Sequence, residues 1–191
     1  MPDLTFRHEG VILDACCVMN LYASRRMADI LESIPKTVAV AAYVRDEETL
    51  WVYSGPDNHV AQAKERIDLQ PLVEKGLLTI VSPDSEAEKN TFVAFAAVLG
   101  DDGESVTGAI AMHRHWAVAT DDKKALNFFA REAPHLQVIS TLELVKYWVD
   151  LTSPTPDDVF ATLRHMRLRA KYKPGDKHAL YTWWQNYKTD D

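Results

Sequence analysis

Val11-Ile12-Leu13-Asp14-Ala15-Cys16-Cys17-Val18-Met19-Asn20-Leu21 opens with three branched apolar residues, closes that run with one carboxylate, and continues with small and weakly polar side chains. A run this short, with no polar alternation, reads as a strand buried on both faces, as in a parallel sheet. A helix then follows from the spacing of the apolar residues beyond it. Asp14, at the junction, is the sharpest candidate for chemistry in the chain.

The same pattern recurs. Val38–Val40, Leu77–Val81, Ala117–Ala119 and Val138–Ile139 are further short Val- and Ile-rich runs, and helical spacing fills Met19–Ile34, Val60–Val73, Glu86–Leu99, Ser105–His115 and Lys124–Ala133. Strands alternating with helices predict an α/β fold, a parallel sheet of about five strands flanked by helices. Turn and cap signals fall between them: Ser54-Gly55-Pro56-Asp57, Gly76, Ser82-Pro83-Asp84, and Thr141 opening a helix with Glu143 behind it. Ser153-Pro154-Thr155-Pro156 separates a domain of residues 1–151 from an extension of residues 152–191.

In that extension Thr155 is placed to cap a helix, Pro156 suits its first turn, and Asp157 and Asp158 face the positive end of its dipole. Val159, Leu163, Met166 and Ala170 then form an apolar stripe, so the Arg and Lys residues between them are expected to face solvent. Lys173-Pro174-Gly175 ends the helix ahead of an aromatic segment, Tyr181, Trp183, Trp184 and Tyr187.

At 191 residues and 47% hydrophobic, the chain supports one core with an appended segment rather than two independent domains. No apolar stretch approaches the roughly 20 residues that span a bilayer, so no membrane insertion is expected and a cytoplasmic location is the default. The only cysteines, Cys16 and Cys17, are adjacent, which suits neither a loop-closing disulfide nor a four-ligand zinc site. They read as small apolar fillers in a reducing compartment. The net charge is -7, but from Arg164 to Lys188 seven basic residues face one acid, Asp176, so that segment is +6 and the remainder -13.

The acids are not scattered evenly. Asp46-Glu47-Glu48 follow the second apolar run, Asp101-Asp102-Gly103-Glu104 stand at a helix entrance, and Asp121-Asp122 follow Trp116-Ala117-Val118-Ala119-Thr120. In an open α/β sheet the carboxyl ends of the strands form the usual site, so Asp14 and Asp121-Asp122 are expected to converge there. Two carboxylates roughly 5 Å apart repel by about 3 kcal/mol at an effective dielectric of 20, which a divalent cation would relieve. Oxygen-only ligands favour Mg²⁺ or Mn²⁺ over zinc. The seven histidines lack a paired ligand spacing and read as surface or packing residues.

Taken in order, Val11-Ile12-Leu13-Asp14 with Asn20-Leu21, Val44-Arg45-Asp46-Glu47, Gly100-Asp101-Asp102-Gly103-Glu104 with Ala109-Ile110-Ala111, and Val118-Ala119-Thr120-Asp121-Asp122 resemble the four motifs of PIN-domain nucleases. The resemblance covers about Gly10 to Leu151, and its form is similar to the prokaryotic VapC-like branch with Gly-Glu in its third motif. It implies metal-dependent hydrolysis of RNA phosphodiester bonds, with Asp14 the central ligand of one or two Mg²⁺ or Mn²⁺ ions. Glu47, with Glu48 as the alternative, would match the second motif, and Glu104 the third, beside Asp101. The fourth selects Asp122 by one spacing and Asp121 by another, and both are carried. Asn20 and Thr120 match small polar positions near the metal.

The same resemblance implies a toxin of a toxin–antitoxin pair, hence an antitoxin partner, and admits a homodimer. In the extension, Arg164, Arg167, Arg169, Lys171 and Lys173 are candidates for RNA phosphate binding, whereas the aromatic segment reads as packing. A catalytically inactive PIN-like regulatory or interaction protein is the alternative. A phosphoacceptor or aspartyl phosphatase would require a second acid beside Asp14, and Ala15 and Cys16 supply none.

Overall fold

The computed structural model describes residues 4–54 and 63–187; the remaining segments, which include part of the Ser54–Asp57 turn signal, His59 and Lys188, lie outside the described residues. Among the described residues, seven strands and ten helices follow in order: β1 (Gly10–Leu13), α1 (Ala15–Ala23), α2 (Met27–Ser33), β2 (Thr37–Ala41), α3 (Ala42–Glu47), β3 (Trp51–Tyr53), β4 (Lys64–Arg66), α4 (Gln70–Glu74), β5 (Thr79–Val81), α5 (Glu86–Leu99), α6 (Asp102–Arg114), β6 (Ala117–Ala119), α7 (Lys123–Glu132), β7 (Val138–Ile139), α8 (Thr141–Thr152), α9 (Pro156–Arg169) and α10 (Tyr181–Gln185).

Five strands form one parallel sheet in the order β5-β2-β1-β6-β7, flanked by helices as the sequence predicts. Val11, Ile12 and Leu13 are inaccessible to solvent, as are Val118 and Ala119 beside them, which is why these strands carry no polar alternation. Each large aliphatic side chain so buried contributes about 1.5–3 kcal/mol relative to exposure. The chain steps from β1 to β2 on one side and later to β6 on the other, so β1 and β6 flank the point where strand order reverses. Ile12 pairs with Val118 and Leu13 with Ala119, and the ladder extends one residue further through Asp14 N–H donating to Ala119 O at 3.1 Å. Crevices at such switch points, beyond the strand carboxyl ends, are where this architecture places its ligands.

Two elements differ from the sequence expectations. Met19–Ile34 is not one helix: α1 ends at Ala23, and Arg25 takes a left-handed backbone conformation (φ 60°) before α2 begins. No Gly or Pro announces that break; the hydroxyl of Ser24, bonded to Leu21 O and accepting Arg26 N–H, supplies it. Lys64–Arg66, read within the Val60–Val73 helix, is strand β4, antiparallel to β3 in a small second sheet; residues 60–62 of that segment lie outside the described residues, and among its described residues only those from Gln70 on, in α4, are helical. Ala42–Glu47, to which the sequence reading assigns no element, forms α3 directly after β2.

Helix α9 begins as expected, with the Thr155 hydroxyl accepting Asp158 N–H and Pro156 in the first turn. Its apolar stripe, Val159, Leu163 and Met166, is buried, and Trp184 of α10 joins the core with Tyr181, Trp183 and Tyr187 packed against it. Arg169 overturns the expectation that the basic residues of this helix all face solvent. It is 3% exposed and fully bonded: Nε donates to Tyr53 O at 3.0 Å, Nη1 to Ala23 O at 3.1 Å, and Nη2 to Glu65 Oε2 at 2.6 Å. Arg169 therefore clasps the end of α1, β3 and β4 to the extension, and the phosphate-binding role expected of it is corrected to a structural one. Among the described residues, no helix is long and apolar enough to cross a membrane.

Candidate metal centre

Asp14 sits where β1 gives way to α1, 3% exposed, and caps that helix: its Oδ1 accepts Cys17 N–H at 2.8 Å. The Cys16 thiol donates to the same carboxylate, 3.1 Å from Oδ1 and 3.3 Å from Oδ2, and the Thr120 hydroxyl bonds to it from the end of β6. Cys16 is thus not the apolar filler expected from sequence; its sulfur also accepts Asp121 N–H at 3.2 Å, linking the two acid-bearing loops. Cys17 does fill the core, with its sulfur 2.9 Å from Thr141 Oγ1.

Asp121 lies beside Asp14 because β1 and β6 are neighbours in register. Both its oxygens are engaged: Oδ2 accepts Asn20 Nδ2 at 3.0 Å and the Thr141 hydroxyl, and Oδ1 accepts Thr141 N–H at 3.2 Å. Asp122 instead caps α7, its Oδ1 taking N–H groups from Lys124 and Ala125 at 2.7 and 2.9 Å. Asn20, from one turn into α1, orients Asp121, and Thr120 touches Asp14 and receives Asp122 N–H at 3.0 Å.

Helix α6 leads into β6, so its N-terminus points back to the same sheet edge. Asp101 caps it by accepting Glu104 N–H at 2.9 Å, which turns Glu104 toward Asp122, Asp101 and Asp14. Of the second acidic cluster, Glu47 is exposed whereas Glu48 is half-buried and faces Asp101 and Asp14. Glu48 Oε1 rests over Gly103: a Cβ there would stand 1.6 Å from it. The glycine between two acids in Asp102-Gly103-Glu104 therefore makes room for a third. Asp46 turns away and pairs with Arg45 at 2.6 Å.

Burial and neighbouring charge raise the proton affinity of Asp14, Glu48, Glu104 and Asp121 above the ordinary carboxylate range. Burial first, with Asp121 nearby, raises Asp14 to about 6 against the hydrogen bonds it accepts. Burial with the charges of Asp101 and Asp14 raises Glu48 to about 7, and burial with Asp122, Asp101 and Asp14 raises Glu104 to about 8. Burial also raises Asp121, opposed by its bonds from Thr141 and Asn20. Glu104 Oε2 is buried with no hydrogen-bond partner. Among the described residues, no three His, Cys, Asp or Glu side chains are drawn together tightly enough to hold an ion as they stand. The donor chemistry nonetheless fits a hard divalent cation: oxygen ligands, an unpaired buried carboxylate oxygen, and a shared excess of negative charge.

A pH dependence follows, with a definite sign. Glu48 and Glu104 bind protons more tightly folded than unfolded, so the stability tied to their protonation is present below the ordinary carboxylate range and is lost as pH rises through about 7 and about 8. The melting temperature in EDTA should fall between about pH 6.5 and 8.5, above the titration of His8 and His165, which burial lowers. Mn²⁺ should raise it more at the upper end than the lower. A flat profile in scanning calorimetry with EDTA would contradict the crowding described here.

Gly103→Ala gives a separate prediction. The flexible end of Glu48 should swing away from the added methyl, while Ala in place of Gly inside a helix offsets up to about 1 kcal/mol. Stability should stay within about 1 kcal/mol, and, if these acids hold a metal, the Mn²⁺ concentration giving half-maximal protection against heat should rise roughly tenfold, the effect expected when a ligand is displaced. An unchanged metal requirement would remove Glu48 from the ligand set.

No family model and no curated protein matches this chain. The functional reading accordingly rests on the geometry. Sequence reasoning had no signal for Cys16, Thr141 or His178, whose Nε2 lies 2.8 Å from Ser140 Oγ at the start of α8; each contributes through contacts between segments far apart in the chain.

Proposed function

We propose that this chain is a metal-dependent endoribonuclease of the PIN type, hydrolysing RNA phosphodiester bonds with Mg²⁺ or Mn²⁺. The observation that carries the reading is the meeting of Asp14, Glu48, Asp101, Glu104 and Asp122 at one sheet edge, brought there by four separate turns or helix starts, with the proton affinities of Asp14, Glu48 and Glu104 raised by burial and by neighbouring carboxylates. A fold that gathers this many carboxylates with no basic partner among them has a reason to do so only if cations are present in use.

Asp14, Glu48, Glu104 and Asp122 would hold the metal, with Asp101 at the rim. When bound, the metal would supply a water of lowered pKa and neutralise charge on the phosphate oxygens. The protein's part is orientation. Cys17 N–H, the Cys16 thiol and the Thr120 hydroxyl fix the Asp14 carboxylate in one rotamer. Asn20 and Thr141 hold Asp121 behind it, much as partners beyond the ligands of a metal site fix their direction. Half-buried Arg164 and Arg167 with exposed Lys173 would meet RNA phosphates, and exposed Lys171, whose ammonium lies 4.8 Å from the centre of the Tyr53 ring, would join them only by leaving that ring. Use as a toxin, checked by an antitoxin that covers the acidic edge, is what the family resemblance adds.

The test is incubation of purified protein with a mixed RNA pool in Mg²⁺, Mn²⁺ or EDTA, beside Glu104→Gln. Cleavage that needs metal and is lost in the variant is expected; intact RNA with the metal-loaded wild type would move the reading to an inactive regulatory protein.

A further inference from the structure

Next to the acidic centre, the polypeptide leaving α9 folds back over the sheet edge and borders a partly open cavity of about 580 Å³. Tyr172 N–H bonds to Met166 O at 3.2 Å, His178 N–H to Gly175 O at 2.9 Å, and the His178 ring to Ser140, so the segment is fastened at both ends. Its opposite wall is Thr120 and Asp121 with the first turn of α7, Lys123 and Leu126. The cavity thus shares two residues with the candidate metal centre while being built largely from the extension.

Its chemistry contrasts with that of the acids. Lys123, Lys173 and Lys177 line it and outnumber the two carboxylates there, Asp121 and Asp176; Lys123 and Lys177 have no acidic partner among the described residues, and Lys173 reaches Asp176 only at 4.0 Å. Tyr172, 6% exposed, also lines it, and its hydroxyl is buried without a hydrogen-bond partner. Buried hydroxyls are almost always paired, so this one marks unmet polar capacity beside the open space. Leu126 and Pro174 add apolar surface. Cations for a phosphate, apolar walls for a ring, a tyrosine with a buried, unpaired hydroxyl in the wall, and a volume in the range of small-ligand sites describe a pocket for one nucleotide.

We propose that this cavity binds the nucleotide adjoining the scissile phosphate, with Lys123 and Lys177 on its phosphate and Tyr172, Leu126 and Pro174 around its sugar and base. The location beside the bond to be cut rests on the nuclease reading; the nucleotide-binding chemistry does not.

The experiment titrates adenosine and uridine 5′-monophosphate, and inorganic phosphate as control, into the EDTA-treated full chain, followed by calorimetry and by amide chemical shifts. The same proteins are assayed on RNA with metal. Saturable binding of a monophosphate is expected, shifting amides of Lys123, Leu126 and Tyr172 to Lys177, and weakened about tenfold in Lys123→Glu and in Lys177→Glu, both exposed positions. In cleavage the same variants should raise KM with kcat nearly unchanged. Monophosphate binding at the cavity without RNA cleavage by any metal-loaded sample would sink the nuclease reading and leave this site standing. Cleavage with normal KM in both variants, and no monophosphate binding, would overturn the site and spare the nuclease. Phosphate binding as tightly as the monophosphates would also overturn it, because the walls would then contribute nothing.

Discussion

Asp14→Asn is expected to abolish metal-dependent cleavage, lowering kcat/KM by about 10³, while leaving a folded and more heat-resistant protein in EDTA. The loss follows from removing the charge at the centre of the carboxylate group, where electrostatic stabilisation of this kind is worth about 10²–10³ in rate per group. Retention of the fold follows from two local facts. Asn caps helices about as well as Asp, so the bond from Cys17 N–H survives. The buried carboxyl, raised to about 6, also imposes a cost when ionised: roughly two pKa units correspond to about 3 kcal/mol at neutral pH, which a neutral side chain removes. At roughly 2–4 °C per kcal/mol for a chain of this size, the EDTA melting point at pH 8 should climb by several degrees. Activity assays and calorimetry on one preparation check both halves. A variant that loses activity together with its melting transition would show Asp14 to be chiefly structural.

The largest expected effect on stability comes from Arg169→Leu. The substitution leaves Tyr53 O, Ala23 O and one oxygen of Glu65 without their donor, and breaking a buried charged network by removing one member costs about 3–5 kcal/mol. Glu65 is partly open to water and also accepts the Tyr22 hydroxyl at 3.1 Å, which favours the lower end. Urea unfolding should therefore show a midpoint shift equivalent to about 3 kcal/mol. Adding Glu65→Gln in the same background should restore part of it, as coupled partners do in a double-mutant cycle. Arg167→Glu, on the same helix but half-buried, serves as the contrast: its stability should change by no more than about 0.5 kcal/mol, while RNA binding weakens and its salt dependence flattens. Equal destabilisation by the two substitutions would mean that Arg169 does no more than any residue of α9.

The central sheet was legible because its strands are buried on both faces, so composition alone marks them, and because an acid ends β1 and acids follow β6. The small sheet was not. Lys64-Glu65-Arg66 carries three charges and no alternation, and it becomes a strand through contacts invisible locally: Lys64 over the Trp51 ring at 3.8 Å and Glu65 held by Arg169. The acidic residues were legible as a set, since each stands at a strand end or helix start. Which member of a pair faces inward was not. Glu48 rather than Glu47 does so because α3 ends at Glu47 and the backbone turns extended at Glu48 (ψ 143°), a rotation no spacing rule encodes. Tyr172 and His178 were beyond reach for a similar reason: their neighbours are placed by the return of the extension to the sheet.

Asp14, Asp101 and Asp122 each hold the first turn of a helix as well as contributing charge to the centre. Amide side chains of the same shape would hold those turns equally well. If the nuclease reading holds, a lineage could therefore silence the protein one oxygen at a time without ever losing its shape, and the product would be a decoy, able to occupy the ligands of an active sibling while cutting none of them.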